Sequence, residues 1–132
     1  MLFLLSVIGK WKTASIDFKN AFAQAILPKP IYLELPPGYL QANLSSGDMV
    51  MKIKKSLYGD RRAANLWYRK LRESLIEMGF TVSEIDPCLF IRGDCMLVLY
   101  VDDAIIFCKE ESTIEKLFGE GHVHVLPVEM MV

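Results

Sequence analysis

Two apolar runs in the C-terminal half of the chain are separated by only two residues, Asp102 and Asp103. Residues 95–101 read Cys-Met-Leu-Val-Leu-Tyr-Val, and residues 104–108 read Ala-Ile-Ile-Phe-Cys, so each run has the length and apolar character of a buried strand. Strands joined by so short a connection pair as antiparallel neighbours. The pattern therefore predicts a β-hairpin with both carboxylates at its tip.

Two adjacent carboxylates bounded by buried strands repel each other and are costly to desolvate. Aspartate also favours turns, and this alone accounts for exposed aspartates at a hairpin tip. A divalent cation would relieve the repulsion, and oxygen donors without a neighbouring His or Cys favour Mg²⁺ or Mn²⁺ over zinc. Asp17, which closes the β-compatible segment 13–18, is the candidate third carboxylate; its alternative role is to cap the following helix.

The remaining pattern is mixed. One helix is predicted over residues 61–78, because apolar side chains recur there at helical spacing: Trp67, Leu71, Leu75 and Met78. The other predicted elements are a helix or strand at 2–11, one or two helical turns at 19–26, strands at 31–35 and 49–54, and a helix at 110–118. Residues 41–48 are polar and turn-rich, and residues 122–132 follow no clear pattern.

Charge is distributed unevenly along this chain, whose formal net charge is -1. Residues 52–72 contain eight basic residues and one acidic residue, a net charge of +7. Such a segment is a candidate contact for a polyanion such as nucleic acid. The alternative is a solvated helix face that balances the acidic remainder of the fold.

Length and composition restrict the class of protein. The chain has 132 residues, 52% of them apolar, which indicates one domain or a piece of one and excludes a disordered tail. Its three cysteines are an odd number without a Cys-x-x-Cys pair, so neither a disulfide scaffold nor a zinc ribbon is expected. A reducing, intracellular location without membrane contact fits this composition.

Seven short motifs follow one another along the chain: residues 16–22 (Ile-Asp-Phe-Lys-Asn-Ala-Phe), 31–38 (Ile-Tyr-Leu-Glu-Leu-Pro-Pro-Gly), 55–59 (Lys-Ser-Leu-Tyr-Gly), 67–68 (Trp-Tyr), 79–80 (Gly-Phe), 86–90 (Asp-Pro-Cys-Leu-Phe) and 100–103 (Tyr-Val-Asp-Asp). In this order and spacing they resemble the reverse transcriptase of Ty1/copia-type LTR retrotransposons. The resemblance extends from about Leu4 to Phe118.

The resemblance implies an α+β fold: a truncated, palm-like antiparallel sheet with helices packed on one face. Residues 1–118 would form the palm with partial fingers, and residues 119–132 a divergent tail. The implied activity is RNA-directed DNA polymerisation by two-metal nucleotidyl transfer, with two Mg²⁺ or Mn²⁺ ions bound by Asp17, Asp102 and Asp103. The implied partners are a template–primer, a deoxynucleoside triphosphate and the remainder of a retrotransposon polyprotein.

Further roles follow only from the resemblance. Phe22 would block a ribose 2′-hydroxyl, although an ordinary core aromatic is its alternative role. Tyr100 and Val101 would lie near the primer terminus, and Arg62 would help to bind the incoming nucleotide. Template–primer phosphates would be contacted by basic residues of the 52–72 segment: Lys54, Lys55, Arg61, Arg69 and Arg72.

The chain also departs from the family pattern. A glutamine and a proline are usual where this sequence has Arg62 and Ala64, and the family's continuation beyond Gly119 is replaced by another sequence. The strand that would follow the helix at 110–118 is therefore expected to be missing. These departures suggest a weakly active or inactive copy, and a non-catalytic nucleic-acid-binding remnant that uses residues 52–72 is the alternative function.

Overall fold

The computed structural model describes residues 9–39, 49–119 and 123–126, the last range as backbone only. The predictions for residues 2–8 and 41–48 lie outside these ranges. The described elements are β1 (Lys12–Asp17), α1 (Ala21–Gln24), β2 (Ile26–Glu34), β3 (Val50–Lys55), α2 (Ala63–Glu77), β4 (Thr81–Val82), β5 (Leu89–Arg92), β6 (Cys95–Tyr100), β7 (Asp103–Cys108), α3 (Glu111–Phe118) and β8 (Val123–Leu126).

The main sheet has six strands within the described ranges, in the order β4-β5-β6-β7-β1-β8. All of its pairings are antiparallel. The central strands alternate between buried and less buried positions, as expected when one face of a sheet packs on a core. The fold is therefore a mixed α/β structure built on an antiparallel sheet, in agreement with the α+β prediction.

Both longer helices contribute to the core beneath this sheet. Trp67, Leu71 and Leu75 of α2 are buried on one stripe, as their spacing predicts, and Ile114 of α3 joins the same cluster. Gly79 follows α2 with a φ of 89°, the left-handed conformation that a helix C-cap favours. Within the described ranges no helix is long and apolar enough to cross a bilayer.

A second, two-stranded sheet pairs β2 with β3 in antiparallel fashion. The strand β2 begins at Ile26, earlier than the predicted start at Ile31, and continues through Pro28 and Pro30. The register shifts between Ile26 and Ile31, the stretch that contains both prolines. Proline has no N–H to donate to a strand ladder, so it is tolerated at such an irregularity.

A disulfide joins Cys95 of β6 to Cys108 of β7, with their Cα atoms 4.2 Å apart. The expectation from cysteine spacing missed this bond, because the two residues are separated by 13 positions and meet only through the hairpin register. Cys88 is the free cysteine of the described residues.

The edge of the main sheet also differs from the prediction. Strand β8 pairs with β1 from Ile16↔Val123 to Thr13↔Leu126. The expected loss of a strand after α3 is therefore wrong. Residues 123–126 gave no strand signal because the segment is short and is followed by Pro127. The edge of β1 supplies hydrogen-bonding partners that a local pattern does not reveal.

Candidate active site

Asp17 and Asp103 lie directly opposite each other on the adjacent strands β1 and β7. Residues paired in this way project to the same face of a sheet. Both aspartates are exposed, while their neighbours Ile16 and Ala104 are buried against the helices. The register therefore brings two carboxylates from distant motifs onto the same face of the sheet, at an exposed end of both strands.

The hairpin turn is displaced by one residue from its predicted position. Tyr100 pairs with Asp103, so the two turn residues are Val101 and Asp102, and Asp103 already belongs to β7. Val101 has a φ of 56°, which is rare for a β-branched residue and corresponds to the position that glycine usually takes in tight hairpin turns. Of the two aspartates, therefore, only Asp102 lies in the turn, where it is half-buried.

Trp67 connects helix α2 to this turn. Its indole Nε1–H donates a hydrogen bond to the carbonyl oxygen of Val101 at 3.1 Å, and the side chain is only 3% exposed. The ring also meets the ring of Phe18, the residue after Asp17, edge to face at 5.4 Å. The sequence placed Trp67 on an apolar stripe and in a family motif, without a hydrogen-bond partner. The available signal for this bond was that a buried indole N–H usually requires an acceptor.

The segment after Asp17 turns tightly into the short helix α1. The N-cap of α1 is Asn20, with a φ of 53°, so the alternative role of Asp17 as the helix cap is wrong. Phe22 of α1 is half-buried and packs on the core cluster. Its ring centroid also lies 4.6 Å from that of Tyr58, which is 64% exposed.

The basic residues of segment 52–72 are all exposed, and they lie on different elements. Lys54 and Lys55 lie on β3, and Arg61 precedes α2. Arg69 and Arg72 lie on the exposed side of α2, away from the stripe that packs on the sheet. Helix α2 covers the buried face of the sheet, whereas Asp17 and Asp103 belong to its other face.

Arg62 is held by a nearby carboxylate. Its backbone N–H and its side-chain Nε–H both donate to Oδ1 of Asp60, at 2.9 and 3.3 Å. The backbone hydrogen bond, followed by the guanidinium contact, lowers the pKa of Asp60. The guanidinium of Arg62 therefore already has an anionic partner.

The three predicted metal ligands do not form a compact cluster. Among residues 9–39 and 49–119, no three His, Cys, Asp or Glu side chains are close enough together to hold a metal ion. The ion pairs found within the same ranges, Arg62 with Asp60 and Lys109 with Asp94, do not involve Asp17, Asp102 or Asp103. The available donors are carboxylate oxygens, the type that Mg²⁺ and Mn²⁺ prefer.

Sequence comparisons agree with the order of the motifs. The family model for reverse transcriptase (RNA-dependent DNA polymerase) matches residues 1–122. The chain belongs to the reverse transcriptase family.

Individual relatives of this reverse transcriptase chain are polyproteins of copia- and Ty1-type transposons. It is 35% identical over 106 residues to the retrovirus-related Pol polyprotein from transposon RE1 of Arabidopsis thaliana. The aligned residues make up 77% of the chain and 7% of the relative. It is 34% identical over 110 residues to that from transposon TNT 1-94 of Nicotiana tabacum, covering 80% and 8%. With the transposon Ty1-NL2 Gag-Pol polyprotein of Saccharomyces cerevisiae it shares 27% identity over 115 residues, covering 86% and 6%. The chain thus spans only a small part of each polyprotein.

Other motifs of this reverse transcriptase chain have structural roles. Tyr68, next to Trp67, donates its hydroxyl hydrogen to the carbonyl of Pro87 at 2.7 Å. The following residue, Cys88, accepts a backbone hydrogen bond from Leu99 of β6 at 2.9 Å. The motif at 86–90 therefore ties α2 to the strand that leads into the aspartate turn.

Proposed function

We propose that this chain forms the palm and part of the fingers of an RNA-directed DNA polymerase. The observation that carries the proposal is the register that opposes Asp17 to Asp103 on adjacent strands. Asp102 immediately precedes Asp103, so the proposed catalytic carboxylates come from one strand end and one hairpin. Membership of the reverse transcriptase family supports the same activity.

Asp17, Asp102 and Asp103 would hold two Mg²⁺ or Mn²⁺ ions through their carboxylate oxygens. When bound, such ions activate the primer 3′-hydroxyl and neutralise charge on the triphosphate. The strand register already opposes Asp17 to Asp103. Bringing these two carboxylates onto one ion would therefore call for side-chain rotation rather than for a rearrangement of the sheet.

The substrate side of the proposed site consists of Phe22, Tyr100, Val101 and Arg62. Phe22, in contact with the ring of Tyr58, would exclude a ribose 2′-hydroxyl and so favour deoxynucleotides. Tyr100 and Val101 are 79% and 48% exposed and would lie under the primer terminus. Arg62 would reach the triphosphate only in competition with Asp60, which already binds its guanidinium.

Template contact would centre on the small sheet. Tyr32 of β2 is the register partner of Lys52 on β3 and is 58% exposed, and Lys54 lies on the same face two residues further along. An exposed aromatic ring beside lysines suits single-stranded nucleic acid, because bases stack on the ring while phosphates pair with the cations. Further phosphate contacts would come from the other basic residues: Lys55, Arg61, Arg69 and Arg72.

In an intact element, this chain would act inside the cell as one part of a Pol polyprotein, like the relatives it resembles. Its proposed partners are an RNA or DNA template–primer and deoxynucleoside triphosphates.

The test combines primer extension with metal binding. The full chain is incubated with a homopolymer RNA template, a DNA primer and Mg²⁺ over a range of chain concentrations, and Mn²⁺ binding is measured by calorimetry. We expect Asp102→Asn to lose both extension and Mn²⁺ binding, whereas Asp94→Asn, which alters an aspartate in the ion pair with Lys109, keeps both. Equal Mn²⁺ binding by the wild type and Asp102→Asn would contradict the proposed metal site.

A second candidate function is non-catalytic nucleic-acid binding. The observation that favours it is the pairing of Arg62 with Asp60 at a position that should serve the incoming nucleotide. Salt-dependent binding of RNA without any primer extension at saturating Mg²⁺ would support this function over polymerisation.

A further inference from the structure

We propose that Trp67 is a positioning residue that fixes the aspartate turn relative to Asp17. This inference rests on the proposed function, because it concerns the same carboxylates. Trp67 contacts the residue that follows Asp17 and the residue that precedes Asp102, so one side chain joins the two segments that carry the proposed ligands.

The hydrogen bond acts on the least favourable backbone in the hairpin. Val101 has a φ of 56°, a conformation that is unfavourable for a residue with a side chain at Cβ. Its carbonyl belongs to the peptide group that leads into Asp102. The buried indole N–H of Trp67 donates to this carbonyl at 3.1 Å and keeps it directed towards α2. The hydrogen bond thereby defines the orientation of the Asp102 amide, which belongs to the same peptide group.

The contact with Phe18 acts on the other segment. Phe18 follows Asp17 directly, and its ring meets that of Trp67 edge to face. Because Trp67 is buried among Leu71 and Ile16 on the covered face of the sheet, it does not reach the side where Asp17 and Asp103 are exposed. Trp67 therefore acts through the backbone and does not touch substrate or metal.

The helix offers a matched control in the next residue. Tyr68 also donates one side-chain hydrogen bond from α2 to a backbone carbonyl, but its acceptor is Pro87, outside the aspartate hairpin. Trp67→Phe and Tyr68→Phe each remove a donor and keep an aromatic ring. They differ in whether the lost hydrogen bond held the turn that carries Asp102. Trp67→Phe also removes volume from the core, so affinities are compared only between fully folded variants.

The experiment measures Mn²⁺ affinity by calorimetry at a temperature where circular dichroism shows every variant fully folded. Loss of a residue that orients metal ligands typically weakens metal affinity by about 10- to 100-fold. We expect Trp67→Phe to weaken Mn²⁺ binding by about tenfold, and Tyr68→Phe to change it by less than about twofold. A purely structural role would lower the unfolding midpoint without moving the affinity of the folded chain, and equal affinities for Trp67→Phe and the wild type would overturn the inference.

A second measurement on the wild type avoids dependence on the folding of the variant. In a Mg²⁺ titration followed by NMR of the indole N–H groups, the Trp67 resonance should shift. That of Trp11, which precedes β1 at the end opposite to Asp17, should stay unchanged. The shift should vanish in Asp102→Asn. An unmoved Trp67 resonance in a chain that binds Mg²⁺ would overturn the inference, whereas a wild type that binds neither Mg²⁺ nor Mn²⁺ would refute the proposed function itself.

Discussion

Asp17 and Asp103 face each other across neighbouring antiparallel strands, so two negative charges occupy a single cross-strand pair. Like charges in this position destabilise a sheet. Such a pair therefore lowers the folding free energy that a sheet gains. The proposed metal site explains why the pair is present, because a bound cation would neutralise the repulsion.

Removing one charge of this pair should therefore separate stability from function. We expect Asp17→Asn, without divalent metal, to raise the free energy of unfolding by about 0.2–1 kcal/mol while abolishing Mn²⁺ binding. Urea unfolding and calorimetry measure the two effects. Asp94→Asn is the control, because it breaks the ion pair with Lys109 and should leave Mn²⁺ binding intact. A lower stability of Asp17→Asn would show that the pair is not repulsive.

The disulfide should stabilise the hairpin that carries Asp102. Cys95 and Cys108 are separated by 13 positions, and closing a loop of that size restricts the unfolded chain by about 3 kcal/mol. Cys95→Ser should lower the free energy of unfolding by about 2–3 kcal/mol, measured by urea unfolding without reductant. Cys88→Ser should have little effect, since Cys88 is free. An equal effect of reductant on Cys95→Ser and on the wild type would contradict this assignment.

The two groups of basic residues should contribute differently to template binding. Lys52 and Lys54 share a face of the small sheet with Tyr32, whereas Arg69 and Arg72 lie on the outer side of α2. Changing both lysines to Gln should reduce the slope of log affinity against log salt for single-stranded RNA by about 1.4, or about 0.7 for each phosphate contact. The double change Arg69→Gln and Arg72→Gln should reduce this slope less. A larger effect of the arginine pair would show that the RNA contacts lie on α2 and not on the small sheet.

Asp60 should restrain Arg62. Asp60→Asn should free the guanidinium for phosphates and so strengthen RNA binding and increase its salt dependence, which a binding titration at several salt concentrations would measure. Lys109→Gln, which breaks the other ion pair, serves as the control. Weaker RNA binding by Asp60→Asn would show that Asp60 does not compete for Arg62.

The same pair has a defined pH dependence. The pKa of Asp60 is lowered in the folded chain, chiefly by the backbone N–H of Arg62. Its contribution to stability is therefore present above the pKa of the unfolded state and is lost as the pH falls through the lowered pKa. The stability difference between the wild type and Asp60→Asn should be largest near neutral pH and decrease in acid; a difference that grows in acid would contradict this sign.

Local sequence was sufficient for elements that depend on periodicity. The stripe formed by Trp67, Leu71 and Leu75 predicted α2 and its buried face, because residues three or four apart lie on the same side of a helix. The two apolar runs around Asp102 predicted the β6–β7 hairpin, because strands joined by a short turn have little choice of partner. The aspartates were found for the same reason, since charged residues between two buried strands are conspicuous in sequence.

Relations between distant segments were decided only by tertiary structure. No local pattern specifies that Asp17 pairs with Asp103, that Cys95 meets Cys108, or that β8 covers the edge of β1, because register depends on which strands pack together and where their turns begin. The sequence likewise could not identify the acceptor of the Trp67 indole N–H, because only the fold brings the Val101 carbonyl to α2. The sequence thus determined which residues carry charge and which are buried, while long-range packing decided which of them meet.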